Sequence, residues 1–366
     1  MIRILTIDDS AFMRKALQLM LESDPEIKVI GSARDGEEGV RKVKELRPDI
    51  ITLDIEMPRM GGLEALDLIM KEAPTPVLVV SSLTTEGAKV TLEALDRGAV
   101  DFIPKTQSFV AIDITNIKGD LIEKIKTIAR KERRRRFMRP ETVKRPSIKP
   151  SGTGGTATEQ PAAKSQDEKI YDLSMFSPRA LSIGVSTGGP PVVQKIISSL
   201  PENFPMPIFI AQHMPGSFTK SFAQRLNELS KVSVKEAEDG EEAKRGVVYV
   251  GRGGDHLILQ RRGIRQIIRL SKEPANLLYH PSADVLFKSV AELYGGQNLS
   301  LILTGMGRDG VIGLREIYKR GGKILAQNEE TCIVYGMPKA AVDEKLAHAV
   351  LSVDGLIRSL ATISGK

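Results

Sequence analysis

The chain is poor in the residues that build metal and redox centres: cysteine occurs once, at Cys332, and histidine four times, at His213, His256, His280 and His348. One cysteine excludes an internal disulfide and a multi-cysteine zinc site, and it fits a reducing compartment. There is no run of about 18 apolar residues, so no membrane insertion is expected. Met1–Asp9 reaches acidic residues too soon for a secretory leader, which makes the cytoplasm the expected location. Neither a Walker lysine nor a helix-turn-helix pattern is found. The net charge of +7 is not spread over folded parts: residues 130–149 carry ten basic side chains against two acidic ones. That local excess of eight leaves the remainder at −1, so no nucleic-acid partner is expected.

What is present is a length of 366 residues with 41% hydrophobic and 27% charged side chains, enough for two folded domains. Short apolar runs at Ile2–Ile7, Val29–Ala33, Ile50–Leu53, Val77–Val80 and Asp101–Ile103 read as strands. Between them lie helical patterns such as Phe12, Ala16, Leu19 and Met20, or Gly39, Val40, Val43 and Leu46. A last helix with Ile117, Leu121, Ile125 and Ile128 on one face closes this half. A second alternation follows, with strands at Leu181–Val185, Pro207–Ala211, Val232–Val234, Leu299–Thr304 and Ile324–Ala326. A hairpin-like insert is expected from Val247–Val250, His256–Gln260 and Gln266–Leu270. The pattern predicts an α/β protein of two doubly wound parallel-sheet domains, over residues 1–130 and 173–366. Residues 131–172, rich in Pro, Gly, Ser, Thr and charge, read as a flexible basic linker.

The N-terminal half places carboxylates at strand ends. Asp8 and Asp9 follow the first strand and Asp54 the third, and in an open parallel sheet such positions converge on one crevice. Three carboxylates there call for a hard cation such as Mg²⁺, leaving one able to attack phosphorus. Ser81 and Lys105 end the fourth and fifth strands and supply a hydroxyl and a cation. The sequence Asp8-Asp9-Ser10, Asp54-Ile55-Glu56-Met57-Pro58, Ser81-Ser82 and Lys105 resembles the response-regulator receiver family, whose fold is flavodoxin-like. The resemblance implies that Asp54 is the phosphoacceptor, that Asp8, Asp9 and Asp54 hold Mg²⁺, and that a histidine kinase is the phosphodonor. It also implies that Ser81 and Phe102 rearrange on phosphorylation while Lys105 contacts the phosphate. Thr106 stands where receivers usually have proline, and Met60-Gly61-Gly62 where Met-Asp-Gly is frequent.

In the C-terminal half, Gly184-Val185-Ser186-Thr187-Gly188 matches Gly-x-Ser-x-Gly at a strand-to-helix turn, where a strained backbone would expose the serine hydroxyl. A glycine-rich phosphate loop is the competing reading of that turn. Among the histidines His213 is singled out by position, since it closes the strand ending at Gln212. Asp309 lies in the loop after Leu299–Thr304. The order Ser, His, Asp is not that of the α/β-hydrolase fold, so a different hydrolytic α/β domain is expected. Cys332 reads as a small core residue.

Ser186-Thr187-Gly188-Gly189, Gln212-His213-Met214-Pro215 and Thr304-Gly305-Met306-Gly307-Arg308-Asp309-Gly310 resemble the chemotaxis protein-glutamate methylesterase domain, as do Gly254-Asp255-His256 and His280-Pro281-Ser282-Ala283-Asp284. The resemblance implies a Ser186–His213–Asp309 triad, with Thr187 and the Met306 amide stabilising the oxyanion or orienting the triad. No cofactor is implied for this domain. The implied substrates are glutamate γ-methyl esters on the cytoplasmic domains of methylated chemoreceptors, with methanol released, and glutamine deamidation is a second activity of the family. It implies too that the unphosphorylated receiver packs over the hydrolase cleft.

Overall fold

A computed structural model of the protein describes residues 1–105, 111–138 and 169–363. The linker expectation falls largely on 139–168, and those residues, like Thr106 and the Ile117 side chain, lie outside the described ones.

In the first half, β1 (Ile2–Ile7), β2 (Ile27–Ala33), β3 (Ile50–Asp54), β4 (Val77–Ser82) and β5 (Asp101–Lys105) form one sheet in the order 2-1-3-4-5. All pairs are parallel, the flavodoxin-like arrangement. β3 is buried along its whole length and β1 and β4 nearly so, which fits strands that read as continuous apolar runs rather than alternating ones. Helix Ala11–Leu21 differs from the sequence reading. Leu17 and Leu21 are its buried residues, whereas Phe12 and Leu19 are exposed. Its apolar residues span more than one face, so spacing alone could not choose the inner one. The closing helix, Ala111–Met138, buries Leu121, Ile125 and Ile128 as expected.

The second sheet contains β6 (Ala180–Val185), β7 (Ile208–Gln212), β8 (Ser233–Glu236), β9 (Val247–Val250), β12 (Asn298–Ile302), β13 (Lys323–Gln327) and β14 (Ala349–Leu351). Between β9 and β12 in the chain come β10 (His256–Arg262) and β11 (Arg265–Ser271). The sheet order is 14-13-12-6-7-9-8, all parallel. Val247–Val250 is therefore not part of the hairpin insert, as its sequence neighbourhood suggested. It pairs with both β7 and β8, and only β10 and β11 form the antiparallel hairpin. The short strand β14 and the helices Ala283–Tyr294 and Met337–Asp343 were not foreseen.

Strand order reverses at β6, with β7 on one side and β12 on the other. The crevice outside the carboxyl ends of these three strands is where ligand sites form in such sheets. Gly188 (φ 70°) takes the left-handed conformation that starts helix Gly189–Ser198, and a Cβ there would collide with Ile333. The two sheets are not independent bodies. Helix Thr85–Asp96 packs on helix Gly216–Leu229, Phe102 stacks on Phe218 with ring centroids 4.5 Å apart, and Arg225 Nε donates to Asp96 Oδ2 at 2.7 Å. Arg134 pairs with Glu329 at 2.6 Å.

Candidate active site

Ser186 follows β6 directly and is only 7% exposed. Its amide donates to Thr304 O at 3.0 Å, and Gln212 Nε2 donates to its carbonyl at 3.0 Å. Ser186 is not among the residues with a positive φ; in this turn the left-handed residue is Gly188. The expected strain at the nucleophile is thus absent, and the burden falls on a glycine, where it costs little. Gly305 lets the β12 loop approach, since a Cβ on it would lie 2.8 Å from Ser186 Cβ.

His213 continues β7, its amide donating to Val185 O at 3.1 Å. Its Nε2 lies 2.7 Å from Asp309 Oδ2. With the Asp309 carboxylate accepting from Nε2–H, Nδ1 is left as the basic nitrogen, and it is buried without a hydrogen-bond partner. The imidazole stacks on Tyr279, ring centroids 3.9 Å apart and planes 11° off parallel. Nothing in the spacing of the chain pointed to Tyr279; only its position beside the quoted His280-Pro281 segment could have drawn attention to it.

Asp309 sits on the N-terminus of helix Ala283–Tyr294. Oδ1 accepts from Ser282 Oγ at 2.7 Å and from the Asp284 amide at 3.1 Å, and Oδ2 accepts from the Ala283 amide at 2.6 Å. Burial works to raise its pKa, but the hydrogen bonds from His213, Ser282 and Ala283 outweigh that and hold it down at about 2. Its neighbour Asp284 moves the other way, to about 6, through burial and the Asp309 charge. His256 and His348 are engaged with backbone groups: His256 accepts from the Ser282 amide and His348 from the Ile324 amide. Cys332 is fully buried, and burial pushes its thiol up to about 12.

Thr187 and Met306 border the same cavity, of about 520 Å³, with Ser186, His213 and Tyr279. Among the described residues neither the Thr187 nor the Met306 amide donates to another group, and Thr187 Oγ1 is buried without a partner. The opposite wall belongs to the first domain: Phe102, Ile103, Glu123 and Lys124 line the cavity too. Lys124 Nζ is tied down there by Asp101 at 2.8 Å and the Phe102 carbonyl at 3.1 Å.

The second site lies at the carboxyl ends of β1, β3 and β5. One carboxylate oxygen from each of Asp8, Asp9 and Asp54 falls within 4.8 Å of the others. Lys105 Nζ is 2.6 Å from Asp54 Oδ2 and 3.1 Å from Asp8 Oδ2, and these buried oxygens have no further partner. Burial raises the Asp54 pKa to about 6 against the opposing pull of Lys105. Buried oxygens with spare lone pairs beside an exposed Asp9 fit a divalent cation with oxygen preference. Ser81 Oγ is turned away from this cluster, toward the Gly87 carbonyl at 3.2 Å and Thr91 Oγ1 at 2.5 Å.

Family models match the chain in two places, the response regulator receiver domain over residues 4–114 and CheB methylesterase over 181–360. The chain is 48% identical over 367 residues to a protein-glutamate methylesterase/protein-glutamine glutaminase of Oleidesulfovibrio alaskensis, covering 98% of each. A second, from Nitratidesulfovibrio vulgaris, is 49% identical over 369 residues, with 98% of each covered. Among solved structures, the CheB methylesterase catalytic domain of Thermotoga maritima aligns at 42% identity with a TM-score of 0.49, over 50% of this chain and 97% of that one.

Proposed function

The chain belongs to the protein-glutamate methylesterase/protein-glutamine glutaminase family, and from that premise we propose that it hydrolyses glutamate γ-methyl esters on the cytoplasmic domains of chemoreceptors under control of Asp54 phosphorylation. Residues 1–130 act as receiver, 131–172 as linker and 173–366 as catalytic domain, in the cytoplasm. The observation that carries the reading is that His213, hydrogen-bonded to Asp309 at 2.7 Å, lines a cavity together with Ser186 and receiver residues.

In this mechanism Ser186 Oγ attacks the ester carbonyl while His213 Nδ1 takes its proton. Asp309 holds the ring through Nε2–H and stabilises the imidazolium that forms. Tyr279 fixes the plane of that ring by stacking. The oxyanion meets the amides of Thr187 and Met306, an arrangement typically worth about 3 kcal/mol per donor. His213 returns the proton to the departing methanol, and water then releases the glutamyl acyl-enzyme by the same route in reverse. A glutamine side chain would enter the same sequence with ammonia leaving, which accords with the second activity in the relatives' names.

In the receiver, Asp8, Asp9 and Asp54 would hold Mg²⁺, which supplies charge neutralisation for an incoming phosphoryl group. Asp54 then accepts the phosphoryl group from a histidine kinase, Lys105 transfers its ion pair to the phosphate, and Ser81 turns inward to donate to it. Methanol release from methylated receptor membranes, measured with and without a small phosphodonor, tests the whole reading. Release that requires Ser186 and increases with phosphodonor supports it, and no release from the wild-type protein refutes it.

A further inference from the structure

Two helices meet at Asp309, and each receives a carboxylate from the other. Asp309 lies just before helix Val311–Lys319 and gives its carboxylate to the N-terminal amides of helix Ala283–Tyr294. Asp284 does the converse. From the first turn of helix Ala283–Tyr294, its Oδ1 accepts from the Gly313 amide at 2.8 Å, in the first turn of helix Val311–Lys319. The cap of that second helix is Gly310, which has no side-chain acceptor, so Asp284 satisfies an amide that the local sequence leaves open.

The approach of the two helices depends on Gly313: a Cβ there would lie 2.6 Å from the Asp284 carbonyl oxygen and from Phe287 Cβ. Asp309 thus has its carboxylate fixed by one helix and its backbone by the start of the other, and Asp284 ties the two together. Asp284 does not line the Ser186 cavity, so it has no access to a reacting atom. Nor is charge what it supplies. Burial and the Asp309 charge raise its pKa to about 6, so its own negative charge is opposed where it sits. The acceptor oxygen remains as its contribution.

Resting on the esterase reading, we propose that Asp284 is a positioning residue for the reaction. Its carboxylate oxygen on the Gly313 amide locks helix Val311–Lys319 to helix Ala283–Tyr294 and so holds Asp309 on His213 Nε2. Without that tie the loop carrying Asp309 gains freedom, and the 2.7 Å contact to His213 is made only part of the time.

The test uses the full-length protein with a phosphodonor and two single variants. Asp284→Ala removes the acceptor, and Asp284→Asn keeps an acceptor oxygen without the charge. Methanol release from methylated receptor membranes gives kcat and KM. Labelling of Ser186 by a serine-directed phosphonate counts intact sites by its extent and reports the state of the triad by its rate. The proposal requires Asp284→Ala to lose about tenfold in labelling rate and in kcat per labelled site, with KM within about twofold of the parent. It also requires Asp284→Asn to restore both rates to within about twofold of the parent. Parent-like kcat in Asp284→Ala overturns the proposal, as does a rise in KM without a fall in kcat. An equal loss in both variants overturns it too and assigns the effect to charge. If Asp284→Ala leaves too few sites to label, Asp284→Glu, which carries its acceptor one methylene further out, takes its place with the same loss required. A parent that labels at Ser186 but releases no methanol refutes the esterase reading, while the labelling rates of the variants still decide the role of Asp284.

Discussion

At the scale of single residues, the proposed chemistry rests on Ser186, His213 and Asp309, with Tyr279 stacked on the imidazole. Ser186→Ala is expected to remove ester hydrolysis, by about 10³-fold or more, while leaving Asp54 phosphorylation intact; activity near that of the parent would take Ser186 out of the mechanism. Tyr279 has a subtler part. Its ring is the platform on which the His213 imidazole stacks, with Nε2 on Asp309 and Nδ1 left without a partner. Tyr279→Phe keeps the platform and retains kcat within about twofold, whereas Tyr279→Leu loses about tenfold in kcat with little change in KM. Equal kcat in the two variants would reduce Tyr279 to a wall of the cavity. Asp54 adds a pH dependence. With its pKa raised to about 6, it is protonated and unable to attack phosphorus at lower pH. Mg²⁺ and the proton compete for this carboxylate, so Mg²⁺ affinity measured by titration calorimetry should fall as pH drops through about 6, a window well above that of an ordinary carboxylate.

At the scale of elements, the N-terminus of helix Ala283–Tyr294 holds Asp309, the proposed triad acid. Its free N-terminal amides and Ser282 do for Asp309 what an N-cap does in reverse: the carboxylate satisfies donors that would otherwise be orphaned. The depressed pKa of about 2 means that the folded state releases the Asp309 proton more readily than the unfolded chain. This contribution is fully present above about pH 4 and is lost as pH falls toward 2, while the raised pKa of the neighbouring Asp284 works against it. Ser282→Ala removes one donor to Asp309 and the helix cap at once, so a loss of about 1–2 kcal/mol in urea unfolding is expected. Urea curves that superimpose on those of the parent would show that the cap carries no net weight. The segment after β13 has a comparable bracing role: the Ile333 and Val334 amides donate to Thr304 Oγ1, which donates to the Thr187 carbonyl. It ties the two loops that carry Thr187 and Met306.

At the scale of the whole molecule, the receiver is a wall of the cavity beside Ser186, held there by helix Thr85–Asp96 on helix Gly216–Leu229 and by side-chain pairs across the interface. Phe102, the aromatic expected to respond to phosphorylation, is stacked on Phe218 of the catalytic domain. If phosphorylation of Asp54 moves Phe102 as proposed, the change acts directly on this interface. Deleting residues 1–170 is expected to leave a folded hydrolase more active than the unphosphorylated whole. A folded fragment no faster than the parent would sink occlusion as the mode of control. The interface can also be loosened without deletion. Asp96→Arg sets like charges against Arg225 and should raise basal methanol release several-fold, and adding Arg225→Asp should return it toward the parent value.

Much of this was legible in the chain itself, for one physical reason. A parallel sheet ends each buried strand abruptly, so the first polar residue after an apolar run marks the crevice where sites form. Asp8, Asp54, Ser186 and His213 all stand at such breaks, and Asp309 a few residues beyond one, which is why residue type and position picked them out together. The strands that were misread or missed, Val247–Val250 and Ala349–Leu351, lie toward the sheet edges, where a short run carries little periodic signal. Tyr279 against His213, the helix amides around Asp309, the inward choice of Leu17 over Phe12, and Phe102 on Phe218 were beyond reach of spacing. Each is set by which surfaces meet when distant segments pack, and no local pattern encodes that meeting. The sequence alone thus determined the two sheets and the residue types at their active ends. Tertiary packing alone decided which nitrogen of His213 is free, what holds Asp309, and that receiver residues line the cavity beside Ser186.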